Sequence, residues 1–352
     1  MCADRALSPA ALLQQVADAA PRRAATVIAV DRAGEETVHC RGFTDGTRAE
    51  AVTDRTRFEL GSATKTFTAL LFADMAARGR VGLDDPLSSR VPEWALPRGA
   101  AAESITLEHL ATHTSGLPRL PPGLLRTALP GWTSNPYGRY PPQRLLKSLA
   151  RSRVRRAPGT RVHYSNFGVG LLGQLLAEQG GTGYGALLRA QVLDPLGLAD
   201  TTSDPAEPQA TGHWHGRPRP PFVIPGLPGA GVLRSSARDL LHYLRCHIAP
   251  DSHPGEGAGV ALRAALDEVT RARPRAQGGP ALPLSWFHHE TPDRQIYYHG
   301  GATRGFTTFI GFSRDPAVAV VALTNTMPNL RLRFMNAAQD LLCGLARRPP
   351  AG

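Results

Sequence analysis

Phe58-Glu59-Leu60-Gly61-Ser62-Ala63-Thr64-Lys65-Thr66-Phe67-Thr68-Ala69-Leu70-Leu71-Phe72-Ala73-Asp74-Met75 decides how this chain is read. Phe67, Leu70, Leu71 and Met75 recur at helical spacing and Gly61-Ser62 marks a start, which predicts a buried helix with Ser62 in its first turn. Lys65 then falls one turn further on, facing the same way. A serine hydroxyl is a weak nucleophile until a base takes its proton, and an amine three residues along a helix can reach it. Backbone N–H groups at a helix start also favour developing negative charge. Ser-x-x-Lys alone equally describes a helix cap followed by a solvated lysine. Composition sharpens the choice. Of the 40 basic residues only Lys65 and Lys147 are lysines, leaving thirty-eight arginines. A chain that uses arginine almost everywhere has an amine beside an apolar helix face, and arginine cannot replace it as a base because it keeps its proton.

The rest of the composition bounds the class. A chain of 352 residues with 42% hydrophobic content can bury a large core, and its length allows one large domain or two intimate ones. No apolar run reaches the roughly 18 residues of a membrane span. The start, Met1-Cys2-Ala3-Asp4-Arg5-Ala6-Leu7-Ser8, carries an early acid and no long apolar core, so the expectation is a cytoplasmic protein without an export signal. Cys2, Cys40, Cys246 and Cys343 are far apart and predict free or buried thiols rather than a zinc site or disulfide framework. The net charge of +11 comes from dispersed arginines, with no nucleic-acid motif. Its one dense run, Arg151-Ser152-Arg153-Val154-Arg155-Arg156, reads as a solvated loop. His109, His113, His213, His215, His288 and His289 show no metal spacing and read as loop or surface residues.

Along the chain, 24–30 and 36–40 read as a strand hairpin about the turn Arg32-Ala33-Gly34. Helices are expected over 105–117, capped by Thr106 and stopped by Gly116, and over 143–150, 168–179, 184–193, 235–248, 260–271 and 330–345. Strands are expected over 284–287, 295–299, 305–312 and 317–324. Two long loops, 118–140 with Trp132, Tyr137 and Tyr140, and 205–231, are of a kind that lines binding sites. Strands at both ends around a helical middle predict an α/β (α+β) fold. One antiparallel sheet would be formed by both chain ends, with a helical subdomain inserted. The whole chain is read as a single domain, with an α/β part at about 20–80 and 280–346 and a mainly helical part at about 81–279.

Three short motifs stand in order on these elements: Ser62-Ala63-Thr64-Lys65, Tyr164-Ser165-Asn166 and His299-Gly300-Gly301. With Leu110-Ala111-Thr112-His113-Thr114-Ser115-Gly116-Leu117 and 229–240, they make the chain resemble the serine β-lactamase and penicillin-binding-protein superfamily. The resemblance is to its class C β-lactamase-like branch of esterases and D-amino-acid peptidases, and runs from about residue 24 to the C-terminus. It implies that Ser62 attacks an ester or amide carbonyl while Lys65 and Tyr164 share the proton traffic. A Lys65 ammonium would lower the phenol's pKa from its ordinary ~10. Asn166 would contact Lys65 and the substrate amide. The N–H groups of Ser62 and Ala302 would hold the oxyanion.

One departure shifts the expected chemistry. His299 stands where true β-lactamases carry a lysine that binds a substrate carboxylate, which points toward the esterase-like relatives and away from penicillins. The resemblance therefore implies a serine hydrolase or acyltransferase acting through a Ser62 acyl-enzyme on a small ester or amide. The acyl group would pass to an amine or alcohol, as in a transacylase of secondary metabolism, or to water. No metal, cofactor, nucleic-acid or membrane partner is expected, and nothing specifies an oligomeric state. The alternatives are a β-lactamase or D-Ala-D-Ala-type peptidase and a catalytically silent ligand-binding homologue.

Overall fold

The computed structural model describes residues 9–45, 50–252, 257–274, 281–291, 294–328 and 331–347. Cys2 and the start of the chain, on which the cytoplasmic expectation rests, lie outside them. Two strands near the N-terminus, β1 (Thr26–Arg32) and β2 (Glu35–Arg41), join four near the C-terminus, β3 (Phe287–Thr291), β4 (Arg294–Ala302), β5 (Thr307–Ser313) and β6 (Val318–Thr324). The sheet order is β2-β1-β6-β5-β4-β3, with every pairing antiparallel. β1 runs beside β6 in the register Thr26 to Thr324, so the sheet closes only when both chain ends meet.

Successive side chains of a strand point to opposite faces, and here both faces are apolar. Ile28, Val30, Val318 and Val320 pack on one side with Val16 of helix α1 (Pro9–Ala19) and Phe334 and Leu341 of the C-terminal helix Arg333–Leu345. Val27, Ala29, Val321 and Leu323 join the larger core on the other side, with Phe67 and Leu70 of α2 (Thr64–Ala77) and Leu240 and Leu244 of the helix Ala237–Ile248. The sheet is thus a layer between two layers of helix.

Several boundaries differ from the sequence reading. Helix α1 was not expected. Its apolar Leu12, Leu13, Val16 and Ala17 have helical spacing, but the surface that covers them comes from the far end of the chain. The strand expected over 284–287 starts only at Phe287, because Leu284 turns into the core and Ser285 takes φ +53°. That correction moves His288 and His289 from loop into strand. The helix expected over 105–117 ends at Ala111, although Thr106 caps it as expected, its side chain accepting from the His109 N–H. The stretch 184–193 is α-helical to Leu188 and then winds more widely from Arg189 to Leu193. The mainly helical middle also holds a small hairpin, Gly212–Trp214 with Arg217–Arg219. Within the basic run Ser152 and Val154 are buried while Arg151, Arg153, Arg155 and Arg156 face solvent, as a solvated loop requires.

The last turn of β4 lies hard against the start of α2. A Cβ on Gly301 would overlap the Leu60 carbonyl oxygen, and one on Gly61, at φ +48°, would stand 2.5 Å from that of Ala302. Gly301→Ala is therefore expected to cost about 3 kcal/mol in a urea unfolding series, because backbone cannot move aside as a side chain can. Gly181→Ala, at φ +67° with nothing within 4 Å, isolates the conformational cost alone, about 1 kcal/mol.

Candidate active site

Ser62 sits in the single tight turn Gly61–Ala63 that precedes α2, slightly ahead of the expected helical turn. Short antiparallel pairing of Phe58–Glu59 with Arg234–Ser235 brings the chain there, and Leu60 N–H donates to Leu233 O at 2.8 Å. A buried network fixes the approach. Glu59 accepts from Phe222 N–H at 2.6 Å and from Thr303 Oγ1 at 2.7 Å. Fully buried Arg234 donates to Gln209 Oε1 at 2.8 Å and to Phe222 O at 2.7 Å. The loop 205–231, the nucleophile turn and the end of β4 are thereby tied into one block.

α2 is buried on nearly every face, from Thr64 to Met75, so it is a core helix rather than a one-sided amphipathic one. Lys65 has no exposed surface, and its Nζ donates to Ala230 O at 2.7 Å. No carboxylate pairs with it among the described residues. Burial, with Arg119 second, holds its pKa well below the usual lysine value, which favours the neutral amine.

Tyr164 follows the loop that carries Arg119. The Lys65 Nζ is 5.1 Å from its ring centroid and the Arg119 guanidinium 5.6 Å, while the His113 ring lies 4.4 Å away. Burial pushes the phenol up to about 12, with a hydrogen bond from Ser62 and the Arg119 charge opposing. This corrects the expectation that a Lys65 ammonium lowers the phenol. The amine is itself desolvated, and Arg119 is the cation that acts on both groups.

Asn166 opens the helix Asn166–Gly180, which is capped by the Ser165 hydroxyl accepting from Gly168 N–H. Its Nδ2 donates to Tyr137 Oη at 3.0 Å, so its hydrogen bond runs to the aromatic loop rather than to Lys65, a second correction. Its Oδ1 is buried without a hydrogen-bond partner. His299 is buried on β4 and donates from Nδ1 to Gly300 O at 2.7 Å, leaving Nε2 unpartnered. His113 is not the surface residue expected. It is buried at φ +60°, accepts from Ser165 N–H at 3.2 Å, and underlies Tyr164.

These residues share one cavity of about 630 Å³. Ser62, Tyr164, Asn166, His299, Gly300, Gly301 and Ala302 line it together, while Lys65 lies beneath. The three motifs, separated by more than 230 residues in sequence, therefore meet around one half-buried hydroxyl. Of the loop aromatics, Trp132 and Tyr137 line the cavity as expected. Tyr140 instead lies in the core, donating to Ser148 Oγ at 2.7 Å. Arg119, Arg304 and His113 were missed. Nothing in their spacing marks them, because each reaches the site from a turn whose path is set by tertiary packing.

His299 carries a stability signature. Burial, followed by the Lys65 charge, pushes its pKa down to about 3, against 6.5 for a free imidazole. Between those values the unfolded chain binds a proton that the folded one refuses, so stability is full above about pH 6.5 and falls as the pH drops toward 3. His247, also pushed to about 3 by burial, adds to the same window. Urea midpoints measured from pH 7 to pH 4 should fall, and His299→Asn should flatten part of that dependence.

A phenol and a serine hydroxyl facing one pocket, with a buried amine beneath them and the end of an antiparallel strand beside them, define a serine hydrolase of acyl-transfer type. The Beta-lactamase family model matches residues 11–344, and the chain belongs to that family. It is 26% identical over 303 residues to the D-alanyl-D-alanine-carboxypeptidase/endopeptidase AmpH of Escherichia coli (strain K12), covering 83% of this chain and 77% of that protein. It is 32% identical over 228 residues to a beta-lactamase of Pseudomonas fluorescens, covering 63% of this chain and 59% of that one. The fold matches a beta-lactamase/D-alanine carboxypeptidase from Pseudomonas syringae at a TM-score of 0.77 and 23% identity, over 95% of this chain and 99% of that one. A class C beta-lactamase gives a TM-score of 0.78 at 22% identity, covering 96% and 97%. Among the described residues no helix is long and apolar enough to cross a membrane, and no group of three or more His, Cys, Asp or Glu could hold a metal ion.

Proposed function

We propose that Ser62 forms an acyl-enzyme with an ester or amide, Lys65 acting as the base and Tyr164 relaying the proton to the leaving group. The observation that carries this proposal is the buried Lys65 amine, bonded among the described residues only to a carbonyl oxygen and favoured in its neutral form. A neutral amine can accept the Ser62 proton, whereas a phenol at about 12 is almost wholly protonated near neutral pH and serves as a donor. The backbone N–H groups of Ser62 and Ala302 would hold the developing oxyanion, with Gly61 and Gly301 permitting the close approach of the two segments. Asn166, with a free buried carbonyl oxygen, would accept from a substrate amide N–H.

The acyl group would pass to an amine or alcohol, as in a transacylase, or to water, as in an esterase. His299 supports this over a penicillin-directed role, since a buried imidazole favoured in its neutral form offers no fixed positive charge to a carboxylate. The names of the relatives support the second reading, a β-lactamase or D-alanyl peptidase. Discharge kinetics separate the outcomes. An acylated enzyme that loses its acyl group faster on addition of an amine is a transacylase; loss at the same rate in water alone marks an esterase. Hydrolysis of a cephalosporin or a D-Ala-D-Ala peptide at rates above those of simple esters would favour the second reading.

A further inference from the structure

Two arginines line the cavity beside the acyl-transfer groups, Arg119 and Arg304. Arg304 has its guanidinium 5.8 Å from the Trp132 ring centroid and 5.0 Å from that of Trp214, so it bridges the 118–140 loop and the 212–219 hairpin. Arg219 lies 5.1 Å from the same Trp214 ring, extending the stack. Arg119 lies over Tyr164. Stacking occupies the faces of a guanidinium and leaves its N–H edge free, and that edge matches the two oxygens of a carboxylate or phosphate. Neither Arg119 nor Arg304 forms an ion pair among the described residues, and no Asp or Glu lines the cavity. Both line the same cavity as Tyr137, whose phenol oxygen accepts from Asn166 Nδ2 at 3.0 Å.

Part of the cavity wall is apolar, formed by Phe309, Leu332 and Met335 beside Asn336 and Gln339, with the Met335 sulfur packed against Gly300. Ser62 lines the same cavity as the arginines and this wall, and a thioether and an aromatic face suit a flexible hydrocarbon chain. We infer that the substrate is amphiphilic. It carries an oxyanion read by Arg119 and Arg304, and an apolar arm against the wall formed by Phe309, Leu332 and Met335. This rests on Ser62 acyl transfer for its meaning as a substrate, but the charge recognition itself needs no turnover.

The test therefore uses Ser62→Ala protein, which cannot be acylated, and calorimetric affinities for matched amides. N-hexanoyl-3-aminobenzoate and N-hexanoyl-3-aminophenylphosphonate are compared with neutral N-hexanoyl-3-aminobenzamide. The anilide of adipic acid against that of adipamic acid places the charge on the acyl side instead. In at least one set the anion should bind about tenfold more tightly at low salt, as for one well-made charged hydrogen-bonding contact. The ratio should shrink at 0.5 M salt and approach one with Arg119→Gln and Arg304→Gln added, whereas Arg→Lys at both positions should keep part of it. The carboxylate and phosphonate arms tell which oxyanion is preferred. Equal affinities in every set, or a preference that survives salt and the loss of both guanidiniums, would overturn the inference. Neither result bears on whether Ser62 is acylated in the unaltered protein, so the two proposals fail separately.

Discussion

Ser62→Ala is expected to lower kcat/KM for an activated ester by about 10⁵-fold, the scale on which enzymes of this type lose rate when the nucleophile goes. Stability should barely change. The Ser62 side chain is half-buried at a cavity wall rather than packed in the core, so removing its oxygen leaves no new void. A steady-state assay on the folded variant checks this, and a loss below about tenfold would mean that another group carries the chemistry.

Lys65 should matter nearly as much, for a separable reason. Lys65→Met keeps an unbranched side chain of similar length in a fully buried position and removes only the amine, so a loss of about 10³-fold in kcat/KM is expected with a modest change in stability. Lys65→Arg should be no better, since a guanidinium keeps its charge and cannot accept the Ser62 proton. The pH profile discriminates further. With the amine as base, kcat/KM falls as the pH drops through its lowered pKa, giving an acid limb well below the usual lysine value of 10.5. Tyr164→Phe should lower the plateau without abolishing that limb, because the phenol stays protonated until about 12. A profile flat down to acid pH, or a limb that vanishes with Tyr164→Phe, would assign the base elsewhere.

Much of this arrangement was legible before any coordinates. The helical spacing of Phe67, Leu70 and Leu71 located α2 with Lys65 in its first turn, while Ser62 falls in the tight turn just ahead of it. The period-two runs at 295–299 and 317–324 located β4 and β6, and their separation from 24–30 implied a sheet closed by both termini. What stayed hidden depended on partners distant in sequence. Helix α1 is stable where it is because Phe334 and Leu341 cover the same sheet face, which no local pattern states. Neither the complete burial of Lys65 nor the burial of the Tyr164 phenol is visible in a single sequence, and the burial of the phenol itself reversed the predicted direction for Tyr164. His113, Arg119 and Arg304 sit on turns, where residue type says little about which way a side chain points.

The most direct test is intact-protein mass spectrometry of wild type and Ser62→Ala after brief exposure to a panel of activated esters, followed by peptide mapping. The acyl-enzyme account predicts a mass gain equal to the acyl group on wild type, located on the peptide containing Ser62, and none on Ser62→Ala. An equal gain on both proteins, or none on folded wild type with every donor, would contradict it.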